Sequence, residues 1–146
     1  MIRRILAIAL LAAPVVARAQ DRLAGRLPEP TRAQVAAIVD SARSAGLPTD
    51  PLVNRALEGA AKGAEGERIV AAVRSLAARI GEARAALGSS AGEAELVAGA
   101  AALRAGAAPG FLARLRREAP RTLLVVPLAV MADLVARGVP AVSCSY

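Results

Sequence analysis

A wholly helical fold is what this sequence predicts, with about six short helices packed as a bundle or as a short solenoid-like stack of helical hairpins. Aliphatic residues recur at spacings of three and four, which places their side chains on one face of a helix. Glycines and helix-capping residues interrupt this pattern at short intervals and mark the helix ends. No stretch alternates apolar and polar residues as a half-buried strand would, so we expect no sheet.

The glycines and helix-capping residues predict the helix boundaries in chain order. The expected helices run from Thr31 to Gly46, from Thr49 to Gly63, from about Glu67 to Leu87, from Ser90 to Gly106, from Phe111 to Glu118 and from about Thr122 to Gly138. The first and the fourth open with capping-box patterns, Thr31–Gln34 and Ser90–Glu93. Glycines that end the helices are typical C-caps, because glycine adopts a left-handed conformation without strain.

Two of these helices carry most of the expected core. The third has an unbroken aliphatic seam at Ile69, Val73, Leu76, Ile80, Ala83 and Leu87. Gly81 within that helix either weakens it or marks a close helix crossing. The apolar run Leu123 to Val135 in the sixth helix predicts a central core helix. About 15 residues reach only ~22 Å, short of a ~30 Å hydrocarbon core, and Pro127 and Asp133 also argue against a membrane span.

The N-terminus reads as a secretory signal peptide. A positive start, Met1–Arg4, precedes an uncharged apolar run from Ile5 to Val16. Ala17 and Ala19 then supply the small-x-small pattern of a cleavage site before Gln20. We therefore expect residues 1–19 to be removed during export by the general secretory route, and the protein to be periplasmic or secreted. An uncleaved N-terminal anchor is the alternative.

The remaining chain divides into an extended leader (20–30), a helical domain (31–138) and an irregular C-terminal tail (139–146). The whole sequence has 19 basic and 12 acidic residues. Removal of the signal peptide takes away Arg3, Arg4 and Arg18 and leaves 16 basic residues, so the net charge falls from +7 to +4. The arginine bias is typical of a GC-rich genome and is not taken as a nucleic-acid signal. The single cysteine, Cys144, allows no intramolecular disulfide, and either intermolecular pairing or a fortuitous thiol remains open.

Composition excludes several chemistries. The chain has no histidine, the commonest general base and metal ligand. Phe111 and Tyr146 are too few aromatic residues for a surface that stacks bases or sugars. We expect no catalytic, cofactor or metal site and no nucleic-acid partner. Two carboxylate pairs, Glu65 with Glu67 and Glu93 with Glu95, leave a small hydrolase as a remote hypothesis, although the helix dipole already explains their positions.

Two clusters are candidate sites for polar contacts. Asp133 interrupts an apolar run and would be a partly buried polar spot with Arg137, or an ordinary i,i+4 pair on the helix edge. The densest basic patch consists of Arg114, Arg116, Arg117 and Arg121. This patch is either a solvated face or a site for an anionic partner such as a phospholipid surface.

A weak internal repeat runs through the chain. Residues 96–109 align with residues 128–141 without gaps at an offset of 32, which matches Leu96 with Leu128 and Gly106 with Gly138. Units of helix, glycine cap and loop bury their apolar faces only by stacking on one another. Ordinary self-similarity of an alanine-rich bundle is the alternative.

Three phrases carry a resemblance: GLPTDPLVNRALEGAAKG, ERIVAAVRSLAARI and LAVMADLVARGVP. Over most of residues 41–140 the chain resembles a group of uncharacterised exported helical proteins from GC-rich bacteria, which implies export and a helical fold but no activity. Members of that group continue past the last phrase into another helix, and this chain departs there. The helix–glycine–helix rhythm is also faintly similar to tetratricopeptide-type repeats, without their large signature residues.

The leading hypothesis is therefore a non-enzymatic exported helical module that binds another envelope protein through a groove between its helices. The competing hypothesis is a peripheral envelope protein that binds anionic lipid through the arginine patch. The identity of the partner and the oligomeric state do not follow from the sequence.

Overall fold

The computed structural model describes residues 21–139, and over this range the chain is all-helical, as predicted. Its six helices of ten or more residues are α1 (Glu29–Ser44), α2 (Asp50–Ala61), α3 (Gly66–Leu87), α4 (Glu93–Ala105), α5 (Pro109–Glu118) and α6 (Val125–Ala136). The expected signal peptide (1–19) with Ala17, Ala19 and Gln20, and Cys144 in the tail, lie outside the described residues.

The longest helix, α3, is the centre of the bundle and packs against α1, α2, α4 and α5. Five of the six residues of its predicted seam are buried, and only Leu76 is half-buried. α1 runs parallel to α3. The Thr31 side chain lies against Gly66 where both helices begin, and near their ends Arg84 donates a hydrogen bond to the Gly46 carbonyl oxygen at 3.3 Å.

The second half of the chain adds α4, α5 and α6. α4 runs antiparallel to α3 after a five-residue loop, and its Gly99 packs against Ala83 and Leu87 of α3 and against Leu112 of α5. α6 is parallel to α4. Glu95 contacts Leu124 where both helices begin, and Val135 lies beside Gly106 where they end. Among the described helices, α6 packs extensively on α4 alone.

Two expectations about helix starts are wrong. Residues 21–30 are not an extended leader, because residues 21–23 are helical and Leu23 and Leu27 are buried in the core. α1 begins at Glu29, with a proline in its first turn, so Thr31 lies inside the helix. Its buried side chain packs beside α3 and does not cap α1.

The second expected capping box is displaced by two residues. The N-cap of α4 is Gly92, and Glu95 closes the box by accepting a hydrogen bond from the Gly92 N–H at 3.2 Å. The reciprocal bond from Ser90 to Glu93 is not formed. The pattern therefore identified the right helix start, but it assigned the wrong glutamate to the structural role.

Candidate functional site

α6 has one buried side and one open side. Leu124 and Leu128 are 1% and 0% exposed on the side that meets the bundle. On the other side, three aliphatic side chains of α6 follow one another at spacings of four, and a fourth, that of Leu123, lies just before the helix. These residues, which we name the open stripe, are Leu123 (77% exposed), Val126 (71%), Val130 (53%) and Leu134 (43%).

The open stripe corrects the prediction of a central core helix. Hydropathy identified the run Leu123 to Val135 as apolar, but apolar character does not specify how many neighbours will cover a helix. α6 lies at the edge of the bundle with α4 as its main neighbour, so part of its apolar surface faces outward. A continuous apolar patch of this kind marks an interaction site more often than scattered exposed aliphatics do.

One face of α4 forms the surface on which α6 packs, and this face can be compared with the open stripe. Glu95 and Gly106 contact α6 at its two ends. Ala98 and Ala102 lie between them on the same helical face, and both are buried. We infer that these four residues form the surface on which α6 packs.

The positions of α6 that align with this α4 surface are partly exposed. At the offset of 32 residues, the α4 positions 98 and 102 correspond to Val130 and Leu134 of the open stripe. Leu96 and Leu128 are both fully buried at this offset, and Gly106 and Gly138 both have positive φ angles, +112° and +85°. At this offset Val130 and Leu134 are exposed, whereas Ala98 and Ala102 are buried, and Pro127 stands at the position that corresponds to Glu95.

Glu95 fixes where α6 begins. Its side chain is buried, and its Oε1 accepts hydrogen bonds from the Leu124 N–H at 2.9 Å and from Nη2 of Arg116 at 2.5 Å. Arg116 also donates from Nη1 to the Thr122 carbonyl oxygen at 3.2 Å. One carboxylate therefore ties the start of α4 to α5 and to the residue that precedes α6.

The charge of Glu95 is stabilised in this position. Burial alone would raise the pKa of its carboxyl group, since desolvation disfavours the charged form. The hydrogen bonds from Leu124, Arg116 and Gly92, together with the Arg116 charge, outweigh burial and hold the pKa of Glu95 below its ordinary value. Sequence reasoning missed this role, although a glutamate three residues after a helix-starting glycine was the signal for it.

The predicted arginine patch is divided by the fold. Arg116 turns inward to Glu95, and its side chain is only 16% exposed. Arg114 is half-buried and takes part in an interaction of its own. Arg117 and Arg121 are exposed. Arg116 therefore does not belong to an exposed basic patch, whereas Arg117 and Arg121 remain at the surface.

The expectation of a buried polar spot at Asp133 and Arg137 is corrected. Both side chains are mostly exposed, at 59% and 73%, and Arg137 Nε lies 2.8 Å from Asp133 Oδ2 as an i,i+4 ion pair. Asp133 points away from the buried side of α6, which Leu128 occupies. This arrangement is the helix-edge alternative that the sequence also allowed.

The carboxylate pairs do not converge. Glu65 and Glu67 flank the start of α3, whereas Glu93 and Glu95 lie at the start of α4, close to the other end of α3. The 22 residues of α3 separate these places by about 33 Å. Within residues 21–139, no three His, Cys, Asp or Glu side chains are grouped so that they could hold a metal ion.

Comparison with protein-family models, curated proteins and solved structures finds no match to this chain. Across the described range, none of the helices combines the length and apolar character needed to cross a membrane. The open stripe of α6 is therefore the candidate site on which a functional proposal rests.

Proposed function

We propose that this chain is an exported, non-enzymatic interaction module of the bacterial envelope, which binds an apolar helix of another envelope protein along the open stripe of α6. The observation that carries the proposal is the exposed apolar face of α6. α6 packs on α4 as a parallel helix, and its Val130 and Leu134, which align with the buried Ala98 and Ala102 of α4, are uncovered. A further helix on that face would extend the stack.

The spacing of the stripe favours a helical partner. Val126, Val130 and Leu134 of α6 follow the i, i+4, i+8 pattern of one helical face, and Leu123 lies just before the helix. Binding of a helix in an apolar groove uses anchors with this spacing. The repeat of residues 96–109 at residues 128–141 supports the same interpretation, since a stack of repeated units ends in an exposed packing face unless a cap covers it.

An anionic lipid surface is the competing partner, and two features of the fold argue against this hypothesis. Helices that lie in a membrane interface usually combine aromatic or leucine-rich faces with a basic polar face. The basic residue of α6 and its flanking turn, Arg137, is paired with Asp133. Of the four patch arginines, Arg116 is committed to Glu95.

Export is the second part of the proposal and rests on the sequence. The positive start, the apolar run and the Ala-x-Ala pattern before Gln20 support cleavage of residues 1–19. Mass spectrometry of the protein purified from the envelope fraction tests this part. A chain that begins at Gln20 supports it, and a chain that retains Met1 in the cytoplasm overturns it.

The binding proposal is tested by photo-crosslinking in living cells. A photoreactive amino acid replaces Val126 in the tagged protein, and the crosslinked peptides are identified by mass spectrometry. We expect crosslinks to an apolar helical segment of one envelope protein. Val130→Asp should abolish them, because burial of an unpaired carboxylate opposes the contact.

The matched control is Val97→Asp, which introduces the same charge at another partly exposed valine, on α4. This variant should retain the crosslinks. Crosslinks between two copies of this chain would replace the proposed partner by self-association. Recovery of the uncrosslinked protein with anionic membranes, with release at high salt, would overturn the proposal in favour of lipid binding.

A further inference from the structure

A second feature, separate from the stripe on α6, is a groove between α2, α3 and α4. We call the apolar part of its lining the floor, which consists of Ala72 and Leu76 of α3 with Val97, Ala100 and Ala101 of α4. Its volume is about 270 Å³. We call the polar part of the lining the rim, and no acidic residue belongs to it: its members are Arg55, Ser75, Arg79 and Arg104.

The arginines stand at both ends of this groove. Since α3 and α4 are antiparallel, Arg79 lies toward the end that contains Val97, and Arg104 lies toward the end that contains Ala72. Seven residues separate Ala72 from Arg79 along α3, which is about 10 Å. Arg55 reaches the groove from α2, and it also lines an adjacent cavity together with Ala72.

The charge of the groove is only partly compensated. Arg55 is paired with Glu58, whose Oε2 lies 3.0 Å from Arg55 Nη1. Within the described part of the chain, Arg79 and Arg104 have neither an ion pair nor a hydrogen bond. Guanidinium groups beside a low-dielectric apolar wall attract an anion more strongly than guanidinium groups in open water.

We propose that this groove binds an aliphatic carboxylate, with the alkyl chain on the alanine-rich floor and the carboxylate on an arginine of the rim. The combination of an apolar floor with a rim that carries only positive charge selects for this amphiphilic chemistry. A volume of about 270 Å³ is large enough for a medium-length alkyl chain. The small side chains of Ala72, Ala100 and Ala101 leave this space open.

Titration with decanoate, below the concentration at which it forms micelles, tests the proposal. Binding is followed by isothermal calorimetry and by ¹H–¹⁵N NMR of the purified protein. We expect saturable binding, with the largest shift changes at Ala72, Val97, Ala100 and Ala101. Decanol and decyltrimethylammonium should bind more weakly by about tenfold or more, because they lack a charge-assisted hydrogen bond to arginine.

Variants identify the residues responsible. Arg79→Gln and Arg104→Gln are measured separately, and the variant that removes the guanidinium holding the carboxylate should weaken decanoate binding about tenfold. Val97→Asp should also weaken it, since the new carboxylate competes for the rim arginines. Arg74→Gln is the matched control, because Arg74 is an exposed arginine of α3 that lines a different cavity, shared with α1.

Several outcomes would overturn the groove proposal. Equal affinity for decanoate and decanol would remove the role of the arginines, and equal losses in Arg74→Gln and Arg79→Gln would show a general charge effect. Shift changes confined to α6, lost in Val130→Asp, would place the ligand on the open stripe. The proposal does not depend on the helix-binding function, because Val97→Asp and Val130→Asp separate the two sites.

Discussion

At position 95, a glutamate that is 4% exposed accepts hydrogen bonds from Gly92, Arg116 and Leu124. These donors come from three successive parts of the chain: the cap of α4, the helix α5 and the turn before α6. A buried charge of this kind is tolerated because it is paired and its oxygens are hydrogen-bonded. Its effect at the residue scale is to fix the position of the last helix.

Removing the charge of Glu95 should destabilise the fold. We expect Glu95→Gln to lower the free energy of unfolding by about 3 kcal/mol, because it leaves the largely buried side chain of Arg116 without its counter-ion. Urea unfolding followed by circular dichroism measures this change. Glu93→Gln, two residues earlier and exposed, is the control and should stay within about 0.5 kcal/mol of the parent. Identical midpoints for Glu95→Gln and the parent would contradict the assigned role.

The same residue predicts an acid dependence. The folded-state pKa of Glu95 is below its ordinary value of 4.5, so the folded state favours the ionised form. Its contribution to stability is therefore fully present above pH 4.5 and is lost as the pH falls through the lower, folded-state pKa. Stability of the parent should fall faster with acidification than that of Glu95→Gln. Parallel stability curves for the two proteins below pH 4.5 would argue against this linkage.

At the scale of elements, the close contact of α3 with α4 depends on a glycine that the sequence did not single out. A Cβ at Gly99 would lie 3.0 Å from the Ala83 Cβ and 3.2 Å from the Leu87 Cδ1. Gly81, where the sequence raised the possibility of a close crossing, has only Leu47 Cδ1 at 3.9 Å, an ordinary contact. The helix approach is therefore determined by α4 and not by the glycine within α3.

Alanine at these two glycines should shift stability in opposite directions. Gly99→Ala should cost about 1–3 kcal/mol through overpacking, more than the ~1 kcal/mol that helix propensity returns. Gly81→Ala should stabilise the protein by up to about 1 kcal/mol, since it gains propensity without a clash. Thermal unfolding of the two variants measures both effects. A stabilised Gly99→Ala would show that the helices separate at little cost.

On the scale of the whole molecule, the bundle has a well-covered centre and a thinly covered end. α3 packs against four other helices, whereas α6 packs extensively against α4 alone. A helix with a single major neighbour can detach while the rest stays folded, because little other apolar surface is exposed when it opens. The open stripe and the weak attachment of α6 therefore have the same cause, which is that, of the described helices, only α4 packs extensively against this helix.

Hydrogen exchange should reveal this gradient. We expect amides in the middle of α6 to exchange at least about tenfold faster than those in the middle of α3, after correction for intrinsic rates. Mass spectrometry of peptic fragments measures the difference. Glu95→Gln should increase exchange in α6 before it affects α3. Equal protection of the two helices would mean that they unfold as one cooperative unit.

Local signals were sufficient to predict the helices themselves. The third helix was expected from about Glu67 to Leu87 and is observed at Gly66–Leu87. The fourth was expected to run to Gly106, which has the left-handed φ of a C-cap and follows the last helical residue, Ala105. Helix periodicity, prolines and glycine caps act within one or two turns, so the sequence contains them directly. The capping boxes were less reliable. Thr31, for example, lies inside α1, where its side chain packs against Gly66 of α3.

What the sequence by itself determined is therefore the all-helical class, the order of the helices and the aliphatic seam of α3. Only the tertiary structure decided which apolar face stays uncovered and which charges pair. The apolar run of α6 looks the same in sequence whether one or several neighbours cover it. Glu95 and Arg116 are 21 residues apart, and their pairing depends on how α5 docks beside α4. Burial and long-range pairing are properties of the packed assembly of helices, so no local pattern contains them.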